Sequence, residues 1–136
     1  MKSKLKSTIV VLLSFISIVS LIIQPIYAAQ EEVMISPRWV NVGSITLTID
    51  LGENPVFVAA TVVGATGTTY SNGTAKLYRD GYLVGSWTGI SATTPYLRFS
   101  NQSVTRVSGT YELIFTITAT RNGVSETVTA SKTAKY

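Results

Sequence analysis

The reactive side chains of this 136-residue chain are few: it holds no histidine, no cysteine and only seven carboxylates. Without histidine it lacks the commonest general base near neutral pH and the commonest metal ligand. Without cysteine it has no thiol nucleophile and no thiolate zinc site. The carboxylates are Glu31, Glu32, Asp50, Glu53, Asp80, Glu112 and Glu126. Asp50-Leu51-Gly52-Glu53-Asn54 could offer a calcium ion several oxygens from one loop, although the same residues compose an ordinary turn. A glycosidase pair needs two carboxyl groups across a cleft. Asp80, followed by Gly81, reads instead as the tip of a hairpin. The chain is therefore expected not to be an enzyme and to carry no metal and no cofactor.

Aromatic side chains are the remaining chemistry. Tyr78, Trp87 and Tyr96 are the candidate ligand-contacting residues, since a ring exposed on a sheet can stack on the apolar face of a pyranose. Their placement depends on the hairpin that Asp80-Gly81 implies. Counting outward from a two-residue turn pairs Arg79 with Tyr82, Tyr78 with Leu83, Leu77 with Val84, Ala75 with Ser86 and Thr74 with Trp87. If Leu77 and Val84 face the core, Tyr78, Leu83 and Trp87 form a strip on the outside. If the faces are reversed, Trp87 is the core tryptophan. A second tryptophan, in Pro37-Arg38-Trp39, reads as a plug folded onto one end of the domain, with an exposed ligand platform as the alternative.

The elements that must position these residues are strands. Ile45, Leu47, Ile49 and Leu51 alternate with Thr46, Thr48 and Asp50, the period of a half-buried strand. In residues 110–120, Tyr111, Leu113, Phe115, Ile117 and Ala119 point one way and mostly threonines the other, with Ile114 as the exception. Asn122-Gly123 supplies the positive φ angles of a type I′ turn, which pairs Ala119 with Glu126, Ile117 with Val128 and Phe115 with Ala130. Residues 56–63 are apolar on both faces and read as a central strand. Adding residues 96–100 gives seven strands: 44–51, 56–63, 74–79, 82–87, 96–100, 110–120 and 124–132. Residues 64–73 and 88–94 read as polar loops. The expected fold is all-β, a seven-stranded antiparallel β-sandwich of immunoglobulin or fibronectin-III-like type.

Ahead of that domain, residues 1–7 carry three lysines, residues 8–23 carry no charge, and small residues follow Pro25. This is the pattern of a secretory signal peptide, cut after Ala28. Its apolar run of sixteen residues is shorter than the roughly 20 that span a bilayer. Residues 29–43 form a lead-in and residues 44–136 the domain. The eleven basic residues less Lys2, Lys4 and Lys6 leave eight against seven acidic ones, a near-neutral and dispersed charge that excludes a nucleic-acid partner. Free secretion, with no membrane partner after cleavage, is the expected location.

The Pro37-Arg38-Trp39 element, the Leu77-Tyr78-Arg79-Asp80-Gly81 hairpin followed by Ser86-Trp87, Gly109-Thr110-Tyr111-Glu112-Leu113, and Asn122-Gly123-Val124-Ser125-Glu126-Thr127-Val128-Thr129-Ala130 together resemble a family of uncharacterised small secreted proteins of Gram-positive, clostridia-like bacteria. The likeness spans about residues 34–136 and implies the β-sandwich fold, with no activity to carry over. In immunoglobulin-like domains, a tyrosine placed as Tyr111 is here anchors a corner through its hydroxyl. The function expected is a secreted, non-catalytic binding or structural module, with a cell-wall glycan or another extracellular protein as partner. An antimicrobial or toxin-like effector acting on neighbouring cells is the alternative.

Overall fold

A computed structural model describes residues 39–136. The expected signal peptide over 1–28, its expected cleavage point and the Pro37-Arg38 part of the lead-in lie outside the described residues. Seven strands are present: β1 (Val42–Asp50), β2 (Val56–Gly64), β3 (Thr69–Arg79), β4 (Tyr82–Ala92), β5 (Tyr96–Val104), β6 (Thr110–Arg121) and β7 (Val124–Lys135). They form one sheet in the order β1-β2-β5 and a second in the order β4-β3-β6-β7, with every pairing antiparallel. The two sheets share one core, a sandwich-like arrangement, and no helix occurs among the described residues.

That core follows from the alternation. Leu47 and Ile49 of β1, Val58, Ala60 and Val62 of β2 and Leu97 of β5 are buried from one side. Ala75 and Leu77 of β3, Tyr111, Leu113, Phe115, Ile117 and Ala119 of β6 and Val128 of β7 are buried from the other. Each large side chain so buried contributes about 2 kcal/mol. β2 is central in its sheet, as its two apolar faces require.

The strands run longer than the sequence reading. β3 begins at Thr69 and β4 continues to Ala92, so much of the two expected loops is strand. Their inner faces carry the buried Tyr70, the wholly enclosed Gly73 and the half-buried Ile90 and Ala92. Their outer faces are so polar that composition alone reads as loop. β1 likewise opens at Val42, two residues before its expected start.

Three side chains tie the ends. The Tyr111 hydroxyl donates to the Val107 carbonyl at 2.7 Å and accepts from the Val107 N–H at 2.9 Å. At the opposite end the Tyr70 hydroxyl donates to the Pro95 carbonyl at 2.9 Å, and burial pushes its pKa above the ordinary value. Asn41, 2% exposed, donates through its side-chain amide to the Ala119 and Val124 carbonyls at 3.1 and 3.0 Å.

Candidate functional site

The two Xxx-Gly turns form where the sequence places them, with Asp80 and Gly81 at φ 49° and 83° and Asn122 and Gly123 at 51° and 75°. Positive φ at both central residues is the type I′ requirement. From Asn122-Gly123 the expected register runs unbroken, through Ala119–Glu126, Ile117–Val128 and Phe115–Ala130. From Asp80-Gly81 it holds for Arg79–Tyr82 and Tyr78–Leu83 and then slips. Leu77 pairs with Gly85, not Val84, and Ala75 pairs with Trp87, not Ser86.

The cause is a bulge at Val84, one extra residue on β4. A one-residue slip moves every later side chain to the other face. Leu77 faces the core as expected, and Trp87 faces it too. The Trp87 ring is half-buried and packed against the core, with the Phe99 ring of β5 at 5.7 Å and a 52° tilt. The outer strip of Tyr78, Leu83 and Trp87 therefore does not form: Trp87 plugs the seam between β4 and β5.

Tyr96 is 53% exposed. It pairs with Val63 next to the buried Leu97–Val62 pair, which puts it on the outer face of the three-stranded sheet. Tyr78 pairs with Glu112 on the outer face of the four-stranded sheet. The three candidate aromatics thus occupy two opposite outer faces and one inner seam, and the fold brings no two of them together. Trp39 is half-buried and packed against the core.

What surrounds Tyr78 is a shallow hollow of about 360 Å³ lined by Tyr78, Asp80, Gly81, Thr110, Glu112, Ile114 and Thr133. Register builds it. Glu112 stands between Tyr78 on β3 and Thr133 on β7, and Ile114 between Lys76 and Ser131. Asp80 fixes the rim: its backbone N–H donates to the Thr110 carbonyl and its Oδ1 accepts the Thr110 N–H, both at 2.9 Å. The hollow offers an aromatic face, an aliphatic floor, two hydroxyls and two carboxylates. Sequence reading set Asp80 aside as an isolated tip and missed Glu112. The alternation of β6, with Glu112 on the same face as the anomalous Ile114, was the available signal.

A second hollow of about 480 Å³ opens where both strands are irregular, lined by Ser71, Asn72, Gly73, Thr74, Thr88, Gly89 and Ser91. Asn72 and Gly89 both take positive φ there, at 52° and 70°.

The possible calcium loop spends its oxygens on closure. Asp50 Oδ1 accepts the Gly52 N–H at 2.8 Å and Asn54 Oδ1 the Arg106 N–H at 3.0 Å, while a Glu53 oxygen accepts from Gln102 at 2.6 Å. Among the described residues no three His, Cys, Asp or Glu side chains gather as a metal site would need.

Glu126 is the other carboxylate with a defined task. It accepts the backbone N–H groups of Val40 at 3.0 Å, of Asn41, and of Val42 at 3.3 Å. Desolvation pushes its pKa up, but the three donors outweigh it and hold the group below its ordinary value. The expected Ala119–Glu126 pair already put this carboxylate on the inward face, where it must find donors.

No protein-family model matches the chain, and no curated protein matches it.

Proposed function

We propose that this chain is a secreted, non-catalytic binding module with an immunoglobulin or fibronectin-III-like domain, and that its ligand is a glycan held at the Tyr78 hollow. The fold type is supported by strand order, β1-β2-β5 against β4-β3-β6-β7, and by the Tyr111 hydroxyl bound to backbone four residues upstream. Secretion rests on the signal-like pattern of residues 1–28, with free release after cleavage. The kinship with small secreted proteins of Gram-positive bacteria rests on the motifs quoted above.

The observation that carries the binding reading is the hollow itself. A half-buried tyrosine, an exposed leucine opposite it and Ile114 present apolar surface, ringed by Asp80, Glu112, Thr110 and Thr133. Sugar sites combine these elements: a ring for stacking and polar groups that fix orientation. Catalysis is not part of the reading, since Asp80 is engaged with the Thr110 N–H and the chain has no histidine or cysteine.

The test is retention of the secreted protein on insoluble cell-wall polysaccharide, wild type against Tyr78→Ala. Retention should fall by about tenfold, the loss of one good stacking contact, with the melting temperature little changed. Equal retention of both proteins, or retention of neither on any polysaccharide, overturns the reading.

A further inference from the structure

The outer face of the four-stranded sheet carries a block of hydroxyl side chains that its registers align. Thr69, Thr120 and Ser125 form one rung across β3, β6 and β7; Ser71, Thr118 and Thr127 the next; Thr74, Thr116 and Thr129 the third. All nine positions are hydroxyl residues. Across β6 and β7 the hydroxyls bond in pairs: Thr120–Ser125 at 2.7 Å, Thr118–Thr127 at 3.3 Å and Thr116–Thr129 at 3.0 Å. Each hydroxyl has one donor hydrogen and two lone pairs, so pairing orients the groups and leaves acceptor capacity facing outward. The Tyr78 hollow lies at one end of this block, and the Ser71–Thr74 hollow borders its other side along β3. Both open on the same face.

We infer that this face is one extended site for a linear, uncharged glycan, with Tyr78 at one end, the hydroxyl block along its length and the Thr88–Ser91 hollow at the other. The inference rests on the glycan reading of the Tyr78 hollow and extends it. From Tyr78 to Ser71 along β3 is about 20 Å at the rise of a strand, a span that a disaccharide cannot cover and a chain of several sugars can. The chemistry of the face selects the occupant. Six of the nine hydroxyls bond one another, so an apolar protein surface would strand the donor and acceptor capacity that the block has left, which is costly. By register the charges of this face are Lys76, Lys135, Asp80 and Glu112. Two cations and two carboxylates cancel, so the face offers a charged polymer no net field. A neutral polyhydroxylated chain matches the hydroxyls with donors and acceptors of its own and stacks on the ring.

Isothermal titration with β-1,4-linked glucose and N-acetylglucosamine oligosaccharides, as disaccharide and hexasaccharide, tests this. The hexasaccharide of the preferred series should bind at least about tenfold tighter than the disaccharide, because two linked subsites act together. Ser91→Arg, an exposed change on edge strand β4, should bring the hexasaccharide down to the disaccharide's affinity and leave the disaccharide unchanged. Tyr78→Ala should weaken both. Equal affinity for both lengths, with Tyr78→Ala still weakening them, overturns the extended site and leaves the Tyr78 reading standing. Binding of neither oligosaccharide overturns both. Tight binding only to a polyuronate, included as a charged control, also overturns the proposal.

Discussion

Two hairpins of this domain start from the same device and end differently. Both turn on an Asn-Gly or Asp-Gly pair with positive φ at both residues. The β6–β7 hairpin then keeps twelve consecutive pairs in register, while β3–β4 departs from it three times. A type I′ turn fixes the pairs beside it and no more. What holds a register further out is the pattern on the strands. Tyr111, Leu113, Phe115, Ile117 and Ala119 of β6 and Val128 of β7 are all buried on one face, so a one-residue slip would put Phe115 or Val128 into solvent. Along β4 the ladder gives way beside Gly85 and Gly89, which have no side chain to misplace, and the slips bring Trp87 and Ile90 onto the inner face.

Gly85 also shows what the bulge gains. A Cβ there would come within 2.6 Å of the Trp87 ring and 3.0 Å of a Val104 methyl. The indole lies over the glycine and closes the seam toward β5. The bulge therefore exchanges a regular ladder for a large ring on the open side of the core.

Four changes would break or sharpen this contrast. Phe115→Ala in the regular hairpin should have the largest effect, about 4 kcal/mol by urea unfolding. Trp87→Ala should cost less, about 2 kcal/mol, since its ring is only half-buried; an equal or larger loss would mean the bulged seam is the more demanding part of the core. Gly85→Ala should come next, about 1–2 kcal/mol, because the Trp87 ring must move aside. Its tryptophan emission, read in a Trp39→Phe background, should shift toward that of a solvated indole. An unchanged spectrum would show that the bulge is not there to seat Trp87.

The fourth change concerns the β7 side of the regular hairpin. Glu126 has a folded pKa below its ordinary value of 4.5. Its contribution is therefore complete above about pH 4.5 and is lost as the pH falls through the lower folded value. Glu126→Gln should flatten the acid limb of the stability profile below pH 4.5 and change neutral stability by less than the other three substitutions. The same acid slope in wild type and variant would remove Glu126 from the clamp.

Most of the fold was legible because alternation and turn chemistry agree. Ile45 to Leu51, Tyr111 to Ala119 and Asn122-Gly123 each name a strand, a face or a turn without tertiary information. Two things resisted. Tyr70 and Ile90 are inner-face residues set among serines, threonines and glycines, and polar outer-face residues of a strand share their composition with loops. The slip at Val84 resisted because hairpin counting assumes one residue per partner. Gly85 and Gly89 were its visible trace, since an isolated glycine in a strand pattern marks a bulge or a close approach. The Tyr78 hollow was half legible: Tyr78 was named from its register, but Glu112 and Thr133 enter only when β3, β6 and β7 are laid side by side.

The Glu126 clamp has a mechanical consequence. It holds Val40 to Val42 against the start of β7, and Lys132, further along, donates to the Leu47 carbonyl of β1 at 3.2 Å. β1 and β7 thus run side by side in the same direction. Tyr136 exchanges backbone hydrogen bonds with Gly109 at the far end of that seam. A pull between Asn41 and Tyr136 would act along both strands at once. It would load the seam in shear, with its tethers stressed together rather than unzipped one by one.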